Sequence, residues 1–99
     1  MGNYFVYILT NPGKTVLYVG VTNDLARRLD EHYQNRGNKL TFAGKYFCHK
    51  LIYFERFDFP EHAIEREKEI KKWSRKKKEF LISKMNPKWN ELNHQALEL

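Results

Sequence analysis

Two short apolar runs near the N-terminus, separated by a turn signal, limit this chain more than any other feature. Tyr4 to Thr10 and Val16 to Thr22 are rich in β-branched and aromatic residues, and Asn11-Pro12-Gly13-Lys14 stands between them. Such side chains suit a pleated, half-buried backbone and the Pro-Gly pair supplies a reversal, so the segment predicts a β-hairpin. A loop symmetric about Pro12-Gly13 sets Tyr7 directly opposite Tyr18 on one sheet face. Gly20, two residues beyond Tyr18, shares that face and is expected to leave open space beside the phenols. Leu17, Val19 and Val21 then point the other way, into a core. Both faces of the first strand are apolar, so layers of structure are expected on both sides of it.

Downstream, Thr22, Asn23 or Asp24 can cap a helix running to about Arg36, with Gly37 as its stop. Residues 38–46 are ambiguous and admit a short helix within a loop. His49 to Phe57 reads as a third strand. Pro60 opens a second helix through Trp73, Ser74 can cap a third from Arg75 to Met85, and Asn86-Pro87 breaks it. The order β-β-α-β-α-α predicts an α+β fold, a three-stranded, mainly antiparallel sheet flanked by helices. Residues 1–90 form the expected domain, and residues 91–99 a loosely held C-terminal tail.

At 99 residues the chain accommodates one small domain. Its 41% hydrophobic and 15% aromatic content is too high for a disordered segment. The single cysteine, Cys48, excludes an internal disulfide framework and suits a reducing, cytoplasmic setting. The longest apolar run, Tyr4 to Leu9, falls far short of the ~20 residues that span a bilayer, so no membrane role is expected.

The formal net charge is +6, from 18 Lys and Arg against 12 Asp and Glu. All of it lies between Arg66 and Lys78, where eight basic residues face two acids; the remaining chain has ten of each sign. One reading is a polyanion-binding stripe of Arg66, Lys71, Lys72, Arg75, Lys76, Lys77 and Lys78. The other is a solvated helix face that aids solubility. Trp73 beside the stripe is not needed by the second reading, but a core anchor explains it equally well.

Three sets of residues bear chemistry. Tyr7 and Tyr18 either fill a core or present two phenols beside a glycine. Arg28 and His32, four apart, share a helix face. A guanidinium can hold nonbridging phosphate oxygens while an imidazole moves a proton near neutral pH; an ordinary surface pair is the alternative. Glu67 falls inside the stripe set by Ala63, Ile64 and Ile70, with Glu65 and Glu69 on the outer side. An inward carboxylate needs a partner, either a neighbouring Arg or Lys or a metal ion. One carboxylate is enough to anchor Mg²⁺, which keeps most of its waters.

Taken in order, these residues resemble the GIY-YIG endonuclease family. Its first signature stands here as Phe5-Val6-Tyr7, with Phe where the family name has Gly, and its second as Tyr18-Val19-Gly20. Asn23 to His32 and Ala63 to Trp73 are similar to the two signature helices, and the likeness covers about Tyr4 to Asn90. The resemblance implies a nuclease, close to the small stand-alone members and related to an excision-repair module. It would cut phosphodiester bonds in DNA with Mg²⁺ or Mn²⁺, in a repair or structure-related role. Tyr7 and Tyr18 match the signature tyrosines, Arg28 the phosphate-contacting arginine, His32 a hydrogen-bonding site position and Glu67 the metal-binding carboxylate. Asn90 matches a supporting asparagine in Pro87-Lys88-Trp89-Asn90, although the interval from Glu67 is longer than in excision-repair relatives. No targeting module accompanies the likeness, which implies weak specificity or a separate targeting protein. The rival reading is a non-catalytic nucleic-acid-binding domain that keeps the fold.

Overall fold

Strand β1 (Tyr4–Thr10) runs through the middle of a three-stranded sheet, antiparallel both to β2 (Leu17–Thr22) and to β3 (Lys50–Phe57). The computed structural model describes residues 2–99. Helices α1 (Leu25–Gln34), α2 (Phe42–Lys45), α3 (Pro60–Lys71), α4 (Arg75–Met85) and α5 (Asn93–Ala96) complete the fold. It is the expected α+β arrangement with α5 added.

Alternation along β1 sorts two cores. Phe5, Tyr7 and Leu9 pack with Leu25 and Leu29 of α1, Ala43 of α2, and Leu92 and Ala96 around α5. Val6 and Ile8 face the opposite layer, where they meet Val19, Ala63 and Ile70 of α3 and Ile82 of α4. Val6, Tyr7, Ile8 and Leu9 are fully buried, the consequence of a central strand covered on both sides. A bulge at Ile8/Leu9 lets the adjacent Ile52 and Tyr53 of β3 both serve the α3/α4 side.

The hairpin register differs from the symmetric expectation. Tyr7 pairs with Gly20, and Tyr18 pairs with Leu9. Asn11 is the cause: its carbonyl accepts from Lys14 N, and its side-chain oxygen accepts from Thr15 N and Val16 N. The loop thereby takes two more residues from the β2 side, with Lys14 at φ 58°. A slip of two keeps every side chain on its face, so Tyr7 and Tyr18 stay neighbours, now diagonal. Gly20 is not open space. A Cβ there would collide with the Tyr7 ring, which occupies the room the glycine leaves.

The helix starts follow the predicted chemistry. The Asp24 side chain accepts from Arg27 N, Ser74 from Lys77 N, and Pro60 opens α3. Ile64, however, is exposed and does not belong to the buried stripe of α3.

The tail also differs from expectation. Leu92 and Ala96 are buried, Leu92 N donates to Leu51 O, and the Asn93 side chain bonds Leu51 N and His49 O. Residues 92–96 are therefore part of the folded unit, bound to the start of β3. Among the described residues, no helix is long and apolar enough to cross a membrane.

Candidate active site

The face of β1 and β2 that meets α1 carries the phenols. Tyr7 comes from the central strand, Tyr18 from the edge strand, and Arg28 and His32 from successive turns of α1 above them. Asp24 fixes the start of α1, and the burial of Leu25 and Leu29 turns the Arg28–His32 side of the helix toward β2.

Tyr7 Oη and His32 Nε2 lie 2.9 Å apart and share a hydrogen bond. The His32 ring packs edge-on against both tyrosines, with centroids 5.8 Å from Tyr7 and 5.3 Å from Tyr18. The two phenol rings are 6.3 Å apart. Tyr18, Arg28 and His32 line an open cleft of about 250 Å³, together with Glu31, Asn35, Thr41 and Phe42. Tyr7 is sealed beneath it.

Burial sets the protonation of this group. It raises the Tyr7 phenol well above its ordinary value of 10.0; the Tyr18 phenol and the Glu67 carboxylate push the same way, while Arg28 opposes them. Burial, then the Arg28 charge, lowers His32 below 6.5. At neutral pH Tyr7 thus holds its proton and His32 is a neutral imidazole. The neutral ring makes this bond in either tautomer: with hydrogen on Nδ1 it accepts the Tyr7 O–H at Nε2, and with hydrogen on Nε2 it donates to Tyr7 and keeps Nδ1 as an acceptor.

Arg28 is held incompletely. Its Nε is buried and lies 3.3 Å from a Glu31 oxygen, yet it forms no hydrogen bond. The Arg28 guanidinium lines the cleft beside Glu31, so an anion that binds it must displace that carboxylate.

Glu67 stands on α3, which packs against β1 and β2 in the opposite layer, and its charge acts on Tyr7. Its side chain is 14% exposed, and Lys71 Nζ sits 3.1 Å from the carboxylate. Among the described residues no three His, Cys, Asp or Glu cluster as a metal cage. A single, mostly buried carboxylate fits an ion that retains its waters, and so fits Mg²⁺ or Mn²⁺ rather than a fully protein-ligated metal.

The structure does not bring Asn90 into this group. Its side chain is exposed, and its backbone N–H and C=O are held by the side chain of buried Asn86, which also donates to Ile52 O. Asn86 is a clamp on β3, signalled in the sequence only as part of a helix-breaking Asn-Pro pair. Nor is the basic stripe uniformly free. Arg66 donates to both Glu55 oxygens and pairs with Glu69, Lys71 pairs with Glu67, and Arg75 pairs with Glu79. Lys72, Lys76 and Lys77 remain exposed, with the Lys77 ammonium 4.2 Å from the Trp73 ring centroid. Thr41 and Phe42, which also line the cleft, come from the segment whose sequence is ambiguous and carries no signal of a site.

Comparison with known proteins gives the family. The family model described as the GIY-YIG catalytic domain matches residues 3–80. The chain belongs to the GIY-YIG family. A UPF0213 protein of Natronomonas pharaonis is 41% identical over 81 residues, which is 82% of this chain and 92% of the relative. A UPF0213 protein of Bacillus pumilus is 37% identical over 83 residues, 84% of this chain and 82% of the relative. The solution NMR structure of a UPF0213 protein from Bacillus halodurans superposes with a TM-score of 0.56 at 34% identity, covering 96% of both chains. Those names state no activity, so the nuclease character rests on the GIY-YIG domain.

Proposed function

We propose that the chain is a divalent-metal-dependent endonuclease that hydrolyses phosphodiester bonds in DNA. The observation that carries this reading is the Tyr7–His32 hydrogen bond set beneath a cleft whose wall holds the unsatisfied Arg28 Nε. Arg28 binds the nonbridging oxygens of the scissile phosphate and offsets charge that develops on them. Tyr18, lining the cleft, contacts the substrate and orients the attacking water. Neutral His32, with its Nε2 hydrogen donated to Tyr7, takes at Nδ1 the proton that this water loses. Tyr7, which cannot meet solvent, is a positioning residue: its hydrogen bond fixes the ring and its tautomer.

Glu67 would hold Mg²⁺ or Mn²⁺, an ion that supplies Lewis-acid stabilisation of the phosphate and leaving oxygen. Lys71 must yield its place on the carboxylate for this to happen. The exposed lysines of α4 supply electrostatic approach, and the role is a repair or structure-related one in which a separate protein chooses the target. Nicking of supercoiled plasmid by the purified protein with Mg²⁺ or Mn²⁺, abolished by EDTA, tests the reading. Tight DNA binding with no metal-dependent cleavage would instead support a non-catalytic binding domain.

A further inference from the structure

The connection between α1 and β3 reverses the usual placement of side chains. It buries its small residues, Ala43, Gly44 and Cys48, and leaves its large rings outside. Phe42 is 53% exposed, Phe47 48% and Tyr46 39%. Aromatic side chains gain most from burial, so their joint exposure on one short segment calls for a ligand.

The segment is also rigid. Thr41 caps α2 through Gly44 N, Gly37 N and Phe47 N both donate to Gly44 O, and Cys48 N donates to Ala43 O. A Cβ on Gly44 would collide with the carbonyls of Asn35 and Asn38, so the backbone is packed directly on itself. Phe47 is held at φ 59°, an unfavourable conformation for a bulky residue.

Charge completes the pattern. From His32 to Phe54 the chain has no Asp or Glu and four cations, Arg36, Lys39, Lys45 and Lys50. The Arg36 guanidinium lies 3.8 Å from the Tyr33 ring centroid, and the Lys45 ammonium 5.3 Å from that of Tyr46. The rings also lead somewhere. Tyr18 stacks on Phe42 at 6.4 Å and 26°, and Phe42 meets Tyr46 at 4.9 Å, a run that starts in the cleft and ends in solvent.

We propose that this connection is a stacking platform for an unpaired stretch of DNA strand entering the cleft, with Phe42 and Tyr46 under its bases and Arg36, Lys39 and Lys45 beside its phosphates. Exposed rings interleaved with cations suit single strands because every unpaired base offers a π-face, whereas a duplex hides its own. The inference rests on the nuclease reading for the position of the scissile phosphate. The platform itself makes a separate binding prediction.

The test is fluorescence anisotropy of the full chain in EDTA, with a labelled single-stranded oligonucleotide and the blunt duplex of the same sequence. The native protein should bind the strand more tightly than the duplex. Phe42→Leu and Tyr46→Leu should each weaken strand binding about tenfold and duplex binding less than about twofold, while Phe42→Trp retains strand binding. Equal losses on both ligands would overturn the platform. So would unchanged strand affinity in both leucine variants, which would assign the rings to a protein contact. Thermal unfolding of each variant separates misfolding from weakened stacking, and the tryptophan variant carries the test if leucine disturbs the loop. Plasmid nicking run in parallel keeps the two ideas apart. Nicking without strand-selective binding sinks the platform alone, and strand-selective binding without nicking sinks the nuclease reading alone.

Discussion

The two layers that cover the sheet handle charge in opposite ways. On the α3/α4 side, where the sequence concentrates its formal +6, many cations already have partners. Arg66 is bound by Glu55 and Glu69, Lys71 by Glu67 and Arg75 by Glu79. On the α1/α2 side, which the charge count alone leaves inconspicuous, Arg28 has Glu31 as its charge partner but its buried Nε makes no hydrogen bond, and the α1–β3 connection has no acid at all. Formal charge measures what a segment carries; unsatisfied donors measure what it can offer a ligand. In the proposed reading the layer poorer in net charge is the one that grips the phosphate, and Glu67 is the one chemical contribution from across the sheet.

The largest effects should fall on that division. Arg28→Ala and Glu67→Ala should each reduce plasmid nicking by about 100-fold or more, the scale of losing one electrostatic stabiliser of a transition state. Persistent nicking in Glu67→Ala would reject the metal assignment, and persistent nicking in Arg28→Ala would return the interface to the other layer. Tyr7→Phe deletes the bond to His32 and keeps the ring, so it should slow nicking by about tenfold or more while leaving DNA affinity in place. A matching loss of affinity would mean that Tyr7 meets the substrate.

The pH profile sharpens the same point. His32 is lowered by burial, so nicking should fall on the acid side with a midpoint below 6.5, as the imidazole charges and can no longer accept a proton. Between the folded and unfolded values the unfolded chain binds more protons, so stability too declines with acid in that window. A midpoint at or above 6.5 would show that the imidazole is not held as described.

Smaller effects belong to folding and to the stripe. Gly20→Ala should cost about 1–3 kcal/mol in urea unfolding, because its methyl meets the enclosed Tyr7 ring. Arg66→Ala should cost about 1–2 kcal/mol, because it leaves a Glu55 that is only 21% exposed without its cation and with the Tyr53 hydroxyl as its remaining partner. Lower DNA affinity at unchanged stability would instead put Arg66 in the interface. Neutralising Lys76, Lys77 and Lys78 should flatten the salt dependence of DNA binding by about 0.9 in log–log slope for each phosphate that these lysines neutralise. An unchanged slope would remove them from the approach path.

Much of the fold is legible in the sequence because it depends on local chemistry. Alternation, Pro60, and the caps at Asp24 and Ser74 act within a few residues and can be read directly. The hairpin register is not legible, since it turns on how one asparagine side chain organises its loop. The shared face of the phenols survives the shift because a slip of two preserves facing. Arg66 is hidden for a different reason: its partner Glu55 is eleven residues away on another element, beyond any helical spacing rule. Helix α5 is four residues long and too short to show a period, so the sequence gives no sign of its docking. Asn90 sits in a recognisable motif, but the buried asparagine there is Asn86, which the motif's spacing does not distinguish.

That docking has a consequence for the life of the chain in a crowded solution. Strand β3 is an edge, and an edge offers its free N–H and C=O groups to any other extended chain it meets. The Leu92–Asn93 turn occupies those groups at Leu51 and His49. It acts as a plug against strand-to-strand association, placed beyond the residues that match the catalytic family. Truncation after Asn90 should free this edge and uncover the core around Leu25 and Leu29, and so increase aggregation, a change light scattering would follow with time.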